Sequence, residues 1–141
     1  MSDHNAVLFA NAAFYTAFAS KDAKAMEQVW CKEKLISCTH PGWQPLVERE
    51  EVLQSWRSIL GNGSAPDIAC RHEHAAIYGD FAVVTCLEQL TDTQGNAEFL
   101  TATNVFTRTG SLWTMVHHQA GPVNVDTRGL EDEDDEKPAL N

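Results

Sequence analysis

The second half of the chain is a series of apolar stretches separated by short turns, and this pattern constrains the fold most. The stretches favour β-branched and aromatic side chains, and they cover residues 68–78, 81–91, 98–108 and 112–119. Between them lie Gly79-Asp80, Gln94-Gly95-Asn96 and Thr109-Gly110-Ser111, which are typical of tight turns. Strands joined by tight turns pair as antiparallel neighbours, so the pattern predicts a four-stranded meander.

The first sixty residues show the spacing of helices instead. Apolar side chains recur three or four positions apart over residues 5–20 and 49–60. A shorter helix is predicted between them, beginning at Ser20 or Asp22, both common N-cap residues, and running through Trp30. Residues 35–39 are predicted to form one more strand, which ends at the break His40-Pro41-Gly42-Trp43.

Helices gathered before an antiparallel meander predict an α+β fold, in which three N-terminal helices cover one face of the sheet. The chain has 141 residues, 43% of them hydrophobic, which is enough for one domain with its own core. We expect this domain to span residues 1–125. The sequence has neither a long apolar run nor a signal-peptide pattern, so we expect a cytoplasmic protein that does not associate with membranes.

The charge balance argues against nucleic acid as a partner. With 20 acidic and 10 basic residues the net charge is -10, and no cluster of Lys and Arg could neutralise phosphates. Half of this excess lies in residues 126–141, which include the run Glu131-Asp132-Glu133-Asp134-Asp135-Glu136. Like charges repel and this segment cannot bury apolar surface, so we expect an acidic, flexible C-terminal tail.

The sequence contains no motif that requires a metal or a cofactor. The four cysteines lack the spacing of zinc sites or redox pairs, and we expect buried free thiols at Cys31, Cys38, Cys70 and Cys86. His72 and His74 would share one face of a strand, but two imidazoles without a third ligand are a weak metal signal. There is no glycine-rich phosphate loop. We therefore expect no cofactor and no metal site.

Two stretches carry a resemblance to a known superfamily. The first is Cys38-Thr39-His40-Pro41-Gly42-Trp43 with Glu51-Val52-Leu53-Gln54-Ser55-Trp56, and the second is Thr103-Asn104-Val105-Phe106 with Trp113-Thr114-Met115-Val116-His117-His118. With the order of elements, they resemble the nuclear transport factor 2-like superfamily, and within it the SnoaL-like proteins of bacteria. The resemblance implies a cone-shaped, curved antiparallel sheet wrapped around the three helices, as in cystatin-like α+β barrels. It also implies a conical cavity and a homodimer joined through the sheet.

The resemblance to ketosteroid isomerases in this superfamily fails at two positions. Their general base is an aspartate directly before a proline, and this position falls on His40 here. Their oxyanion-hole tyrosine falls on Phe14, counting back from Lys21-Asp22. Because phenylalanine donates no hydrogen bond, steroid isomerisation by the same groups is not expected.

Strand alternation predicts which side chains face the cavity. The resemblance to the association domain of the calmodulin-dependent kinase places Cys86 inside, so Glu88, two residues later, faces the same way. The matching position on the next strand is Asn104, with Phe106 beside it. These residues are the predicted lining of the cavity on the two central strands.

The last turn sets which histidine joins them. If residues 110–111 form a two-residue hairpin loop, Asn104 lies opposite His117 and Phe106 lies opposite Met115. This register puts His117 inside the cavity and His118 on the opposite face. A slip of one residue would exchange the two histidines.

Three of these residues have the chemistry of acid–base catalysis. His40 could act as a base at the cavity rim, or it could be a loop histidine that bonds to the backbone. His117 could act as a base whose ring is held in place by the Glu88 carboxylate, and Asn104 could donate a hydrogen bond to an oxyanion. Alternatively, Glu88 makes a structural hydrogen bond to Asn104, and the pair with His117 merely fixes the strand register.

Three tryptophans could line the cavity mouth and hold a flat organic ligand. Trp56 lies on an amphipathic helix, so packing in the core is the stronger expectation for it. Trp43 follows a glycine in a loop and is the best candidate for a ligand contact. Trp30 has no feature that decides between the two roles.

These residues support two functions of different classes. The first is a cofactor-independent enzyme of the isomerase, dehydratase or cyclase type that acts on a hydrophobic small molecule. The second is a non-enzymatic module that binds a ligand or mediates assembly as a dimer. The enzyme requires His40, Glu88 and His117 to reach one accessible cavity, whereas the module requires only that the polar groups satisfy one another.

Overall fold

The computed structural model describes residues 1–63 and 65–125. Three helices, α1 to α3, and five strands, β1 to β5, follow one another in the predicted order. In chain order they are α1 (Asp3–Ala19), α2 (Ala23–Val29), β1 (Ser37–Thr39), α3 (Arg49–Leu60), β2 (Asp67–Tyr78), β3 (Phe81–Thr91), β4 (Ala97–Thr109) and β5 (Leu112–Pro122). The predicted acidic tail lies outside the described residues, and β1 is two residues shorter than predicted.

The first two helices begin at residues whose side chains accept hydrogen bonds from free backbone amides. The hydroxyl of Ser2 accepts a hydrogen bond from the Asn5 amide at the start of α1. Of the two predicted N-caps for α2, the structure uses Asp22, whose carboxylate accepts from the Ala25 amide at 3.0 Å. No part of the chain that the structure describes forms a helix long and apolar enough to cross a membrane.

The five strands form one curved, unclosed sheet in the order β1-β5-β4-β3-β2. Strands β2 to β5 pair antiparallel in sequence, which confirms the predicted meander. The short β1 adds a parallel partner at the edge beside β5, a pairing that the sequence did not predict. The fold is therefore the predicted α+β cone.

The helices pack on the inner face of the sheet and fill it with large side chains. The buried aromatic and sulfur-containing residues include Phe14 on α1, Met26 on α2 and Trp56 on α3, which face Phe106 and Met115 of the sheet. Their burial removes several hundred Å² of apolar surface from water, at roughly 25 cal/mol per Å². The inside of the cone is thus a packed core.

A bulge in the last hairpin corrects the predicted register. Phe106 pairs with Met115 as expected, but Val105 then pairs with His117 and Asn104 with His118. Val116 is the extra residue, and an extra residue reverses which face the following side chains occupy. His118 therefore lies on the inner face, and the prediction that His117 faces the cavity was wrong.

A second bulge interrupts β2. The ladder between β2 and β3 shifts between Arg71 and His74, and His72 has a positive φ of 57°. Regular alternation is lost here, so the argument that placed His72 and His74 on one face does not hold.

Candidate functional site

Five polar side chains meet on the inner face of the cone, and we call them the inner cluster: Asn11 and Tyr15 of α1, Glu88 of β3, Asn104 of β4 and His118 of β5. Glu88, Asn104 and His118 are 2%, 0% and 1% exposed. Buried polar groups destabilise a fold unless each finds a partner, so their contacts decide what the cluster can do.

Tyr15 and Glu88 form one of the two shortest contacts of the inner cluster. The Tyr15 hydroxyl donates to Oε2 of Glu88 at 2.6 Å, and its oxygen lies 3.2 Å from the Cys86 sulfur. Burial raises the pKa of Glu88 to about 7, while the hydrogen bond from Tyr15 lowers it in part. Glu88 is therefore divided between its acid and carboxylate forms near neutral pH.

Asn104 links the two helical residues to His118. Its Nδ2 donates to Oδ1 of Asn11 at 2.8 Å and to the Tyr15 hydroxyl at 3.2 Å. The remaining Oδ1 of Asn104 can only accept, so the Nδ1 of His118, 2.6 Å away, carries the proton of this bond. The orientation of one amide thus fixes the tautomer of the histidine.

His118 is neutral in this position. Burial, together with the nearby His40 and His117, lowers the pKa of His118 to about 3. Its Nε2 lies 4.0 Å from Oε2 of Glu88, which is too long for a hydrogen bond. With a neutral imidazole, this contact is not an ion pair.

His40 lies just past β1 and is also buried. Its Nε2 is 2.9 Å from the Ser55 hydroxyl, which donates its own proton to the Val52 carbonyl at 2.7 Å. His40 Nε2 is therefore the donor to Ser55, and burial lowers the pKa of His40 to about 4. Its ring centroid lies 6.5 Å from that of His118, so the two histidines share the interior.

His117 does not join this group. It is partly buried on the outer face, where its Nδ1 lies 2.7 Å from the Ser37 hydroxyl of the neighbouring strand. Burial lowers the pKa of His117 as well. The structure thus has Glu88 and Asn104 in the interior, as predicted, and it has His118 there in place of His117. His40, predicted at the cavity rim or as a loop histidine bonded to the backbone, is buried and bonds to the Ser55 side chain instead.

Sequence reasoning missed Asn11, Tyr15 and Ser55 as members of the polar interior, and it named His118 only as the alternative that a slip in register would bring inside. Counting along α1 pointed to Phe14, whereas the hydroxyl that reaches the cluster belongs to the next residue, Tyr15. One signal was available, because Asn11 and Tyr15 are four residues apart and share a face of a helix.

The predicted ligand-contact residues fall into two groups. Trp30, Trp56, Cys86 and Phe106 are buried, and Trp56 packs edge-on against Phe14 at 5.4 Å and against His40 at 4.8 Å. Trp43 is 48% exposed, and its ring stands 4.8 Å from that of His40. Of the three tryptophans, only Trp43 presents a surface to solvent.

Several grooves open on the surface of the described residues, and three of them lie beside α1 or the candidate site residues. One of about 870 Å³ runs along the outside of α1 towards Leu112, and one of about 460 Å³ lies between Trp43 and α3. A third, of about 320 Å³, lies between α1 and β2 and reaches Asn11 and Tyr15. Glu88, Asn104 and His118 line none of these three grooves. His40, Glu88 and His117 thus share none of them.

Comparison with known proteins agrees with this architecture. The family described as the SnoaL-like domain matches residues 7–124. A proposed dehydratase of the nuclear transport factor 2-like family from Streptomyces avermitilis is 33% identical, with a TM-score of 0.78 over 87% of this chain and 97% of that one. A proposed association domain of calcium/calmodulin-dependent protein kinase type II from Thiobacillus denitrificans is 32% identical, with a TM-score of 0.75 over 82% and 93%.

One curated relative comes from a plant. The F-box protein SKIP8 of Arabidopsis thaliana is 28% identical over 121 residues, which cover 86% of this chain. The chain spans about half of that protein's length, since the match covers 51% of it. Similar sequence therefore occurs both in short proteins and within a longer one.

Proposed function

The chain belongs to the family of SnoaL-like domains, and we propose that it acts as a dimeric binding and assembly module whose polar interior is structural. The observation that carries the proposal is the closure of the inner cluster. Asn104 joins Asn11, Tyr15 and His118, and Tyr15 joins Glu88, all through hydrogen bonds within the core.

The protonation states support a structural role. A catalytic base works best with a pKa near the operating pH, and the pKa values of His40 and His118 are lowered to about 4 and about 3. The one interior group with a pKa near 7 is Glu88, whose Oε2 already accepts from Tyr15. A buried network of this kind, in which each side chain has at least one hydrogen-bond partner, favours one packing of a core.

The outer face of β3 and β4 supports a dimer. We use this name for the outward side chains of the two strands that are exposed or only partly buried: Phe81, Val83, Thr85, Leu87, Gln89, Thr91, Ala97, Phe99, Thr101, Thr103 and Val105. None of them is ionisable, although 21% of the chain is charged. Depletion of charge is a mark of the centre of protein interfaces. A second copy bound here would pair this face with itself, as in other two-fold dimers.

The oligomeric state in solution tests the proposal. Sedimentation equilibrium of the full chain at micromolar concentration is expected to give twice the 15.6 kDa mass of one chain. Thr103→Glu places a charge in the middle of the outer face and is expected to yield folded monomers. The matched control Ser111→Glu adds the same charge at the last turn and leaves the dimer intact. A monomeric parent protein would contradict the proposal.

A second candidate is an acid–base enzyme acting on a small hydrophobic molecule. It is favoured by the near-neutral pKa of Glu88 and by the groove of about 320 Å³ that reaches its partner Tyr15. Aromatic and steroid-like compounds are suitable probes, first by thermal shift and then by mass spectrometry for isomerisation or loss of water. Turnover that disappears in both Glu88→Gln and Tyr15→Phe, with folding retained, would favour the enzyme over the module.

A further inference from the structure

Two free thiols lie next to each other on the inner face of the sheet. Cys70 is on β2 and Cys86 is on the neighbouring β3. In the antiparallel register, Cys70 pairs with Glu88, which is two residues from Cys86 on the same face. The cysteines are therefore diagonal neighbours across the strand pair, a relation that the sequence spacing alone did not show.

The two sulfurs interact with each other and with α1. The Cys86 sulfur lies 3.2 Å from the Tyr15 hydroxyl, and the Cys70 sulfur lies 3.7 Å from Nδ2 of Asn11. A hydrogen bond between the thiols lowers the pKa of Cys86 and raises that of Cys70. The Cys70 thiol is directed to Oε2 of Glu73, 3.9 Å away, and Cys86 is the more acidic of the two thiols.

Solvent reaches this pair from one side. Cys70 is only partly buried, and it lines the groove of about 320 Å³ between α1 and β2. Cys86 lies behind it and is buried. A molecule as small as hydrogen peroxide can enter a groove of this volume, which exceeds that of a water molecule about tenfold.

The backbone beside Cys70 is not held in a regular ladder. The register of β2 shifts between Arg71 and His74, so Cys86 faces the bulge. Diagonal neighbours stand farther apart than a relaxed disulfide prefers, and a bulge is where a strand can adjust. A bond formed across this gap would be strained, and strained disulfides are the readily reduced ones.

We propose that Cys70 and Cys86 form a reversible disulfide when the protein meets a peroxide. Both S–H bonds break and one S–S bond forms, so the two thiols together lose two electrons and two protons. Hydrogen peroxide accepts them as its O–O bond breaks, and two water molecules leave. The reaction also removes the Cys86 thiol proton beside the Tyr15 hydroxyl, which links the redox state of the pair to the inner cluster.

Counting thiols in the full chain tests the inference. The protein is treated with dilute hydrogen peroxide, denatured, alkylated and weighed by mass spectrometry. The number of alkylated cysteines is expected to fall from four to two, and dithiothreitol is expected to restore all four. Peptide mapping after digestion should show Cys70 joined to Cys86 within one chain.

Variants separate this pair from the other two cysteines. After peroxide treatment, Cys70→Ser should keep all three of its remaining thiols free. The control Cys31→Ser should still lose two free thiols to the disulfide between Cys70 and Cys86. Cys70 is the preferred site for the variant because it is the least buried cysteine, so folding should be retained. Four free thiols after treatment, a bond involving Cys31 or Cys38, or a bond between two chains would overturn the inference.

Discussion

The inner face of the sheet holds its polar side chains in a closed cluster, whereas the outer face of β3 and β4 leaves threonines open to solvent. On the inside, the Tyr15 hydroxyl joins Glu88 to Asn104. Asn104 in turn bonds to His118, so each of these side chains has exchanged water for a partner within the cluster. On the outside, Thr85, Thr101 and Thr103 keep their contact with water. The same strands thus carry a buried hydrogen-bonded network on one face and, on the other, the surface that we propose for dimerisation.

The largest expected effect comes from removing the centre of the inner cluster. Asn104→Ala leaves Asn11, Tyr15 and His118 without their shared partner, and we expect a loss of about 4 kcal/mol in the free energy of unfolding. Urea denaturation measures this loss. The neighbouring Thr103→Ala on the outer face should change stability by less than about 0.5 kcal/mol. Equal losses of stability in the two variants would refute the claim that the inner cluster contributes more to stability than the outer face does.

Glu88 makes the inner cluster sensitive to pH. Its pKa is raised from 4.5 to about 7, so the folded protein binds this proton more tightly than the unfolded chain does. The contribution of Glu88 to stability is complete below pH 4.5 and is lost as the pH rises through 7. The parent protein loses this stability as the pH rises, whereas Glu88→Gln has no carboxyl group to ionise. The free energy of unfolding of the variant should therefore rise by about 3 kcal/mol relative to that of the parent between pH 4.5 and 8. A constant difference across this range would contradict the burial of an ionisable group.

The pKa of the interior histidine His40 is shifted in the opposite direction, so its effect on stability depends on pH in the opposite sense. The pKa of His40 is lowered from 6.5 to about 4, so its contribution is complete above pH 6.5 and is lost as the pH falls towards 4. His40→Gln keeps a donor for Ser55 but cannot take up the proton. Between pH 6 and 4.5, we expect the free energy of unfolding to fall less steeply with pH in this variant than in the parent protein. The difference between the two slopes should be about 1.4 kcal/mol per pH unit. Urea midpoints at several pH values measure the two slopes, and identical slopes would show that His40 is not buried.

The smallest expected effect is at His117. It lies on the outer face with one hydrogen bond to Ser37, so His117→Ala should cost about 1 kcal/mol or less. His118→Ala, one residue further, removes a buried ring and the partner of Asn104, and should cost about 3 kcal/mol. Thermal unfolding of the two variants gives the comparison directly. The reverse order would mean that the bulge at Val116 is absent in solution.

Much of the fold was predictable because it depends on local patterns. The glycine turns fixed the meander, and the predicted bounds of α3 and β3 agree with the structure to the residue. For the interior, the family resemblance selected Cys86 as an inward residue, and alternation along the strands then placed Glu88 and Asn104 inside, where the structure has them. The turns and the alternation need only the period of a strand or a helix, which is a property of neighbouring residues.

The remaining residues of the interior were decided by contacts between distant elements. The extra residue Val116 moves His118 inside, and nothing near it in the sequence marks a bulge. The rotation of α1 on the sheet selects the Tyr15 hydroxyl rather than the neighbouring Phe14 ring as the partner of Glu88. The bulge after Arg71 likewise lies beside the two thiols that the spacing did not suggest as a pair.

The sequence by itself determined that this chain folds as an α+β cone with polar residues on two central strands. Only the tertiary structure decided which histidine joins them, which hydroxyl satisfies the carboxylate, and that large aromatic side chains fill the space between them. The physical reason is that turns and periodicity act over a few residues, whereas a buried polar group finds its partner through packing. In this protein Tyr15 and Glu88, which bond at 2.6 Å, are 73 residues apart in the sequence.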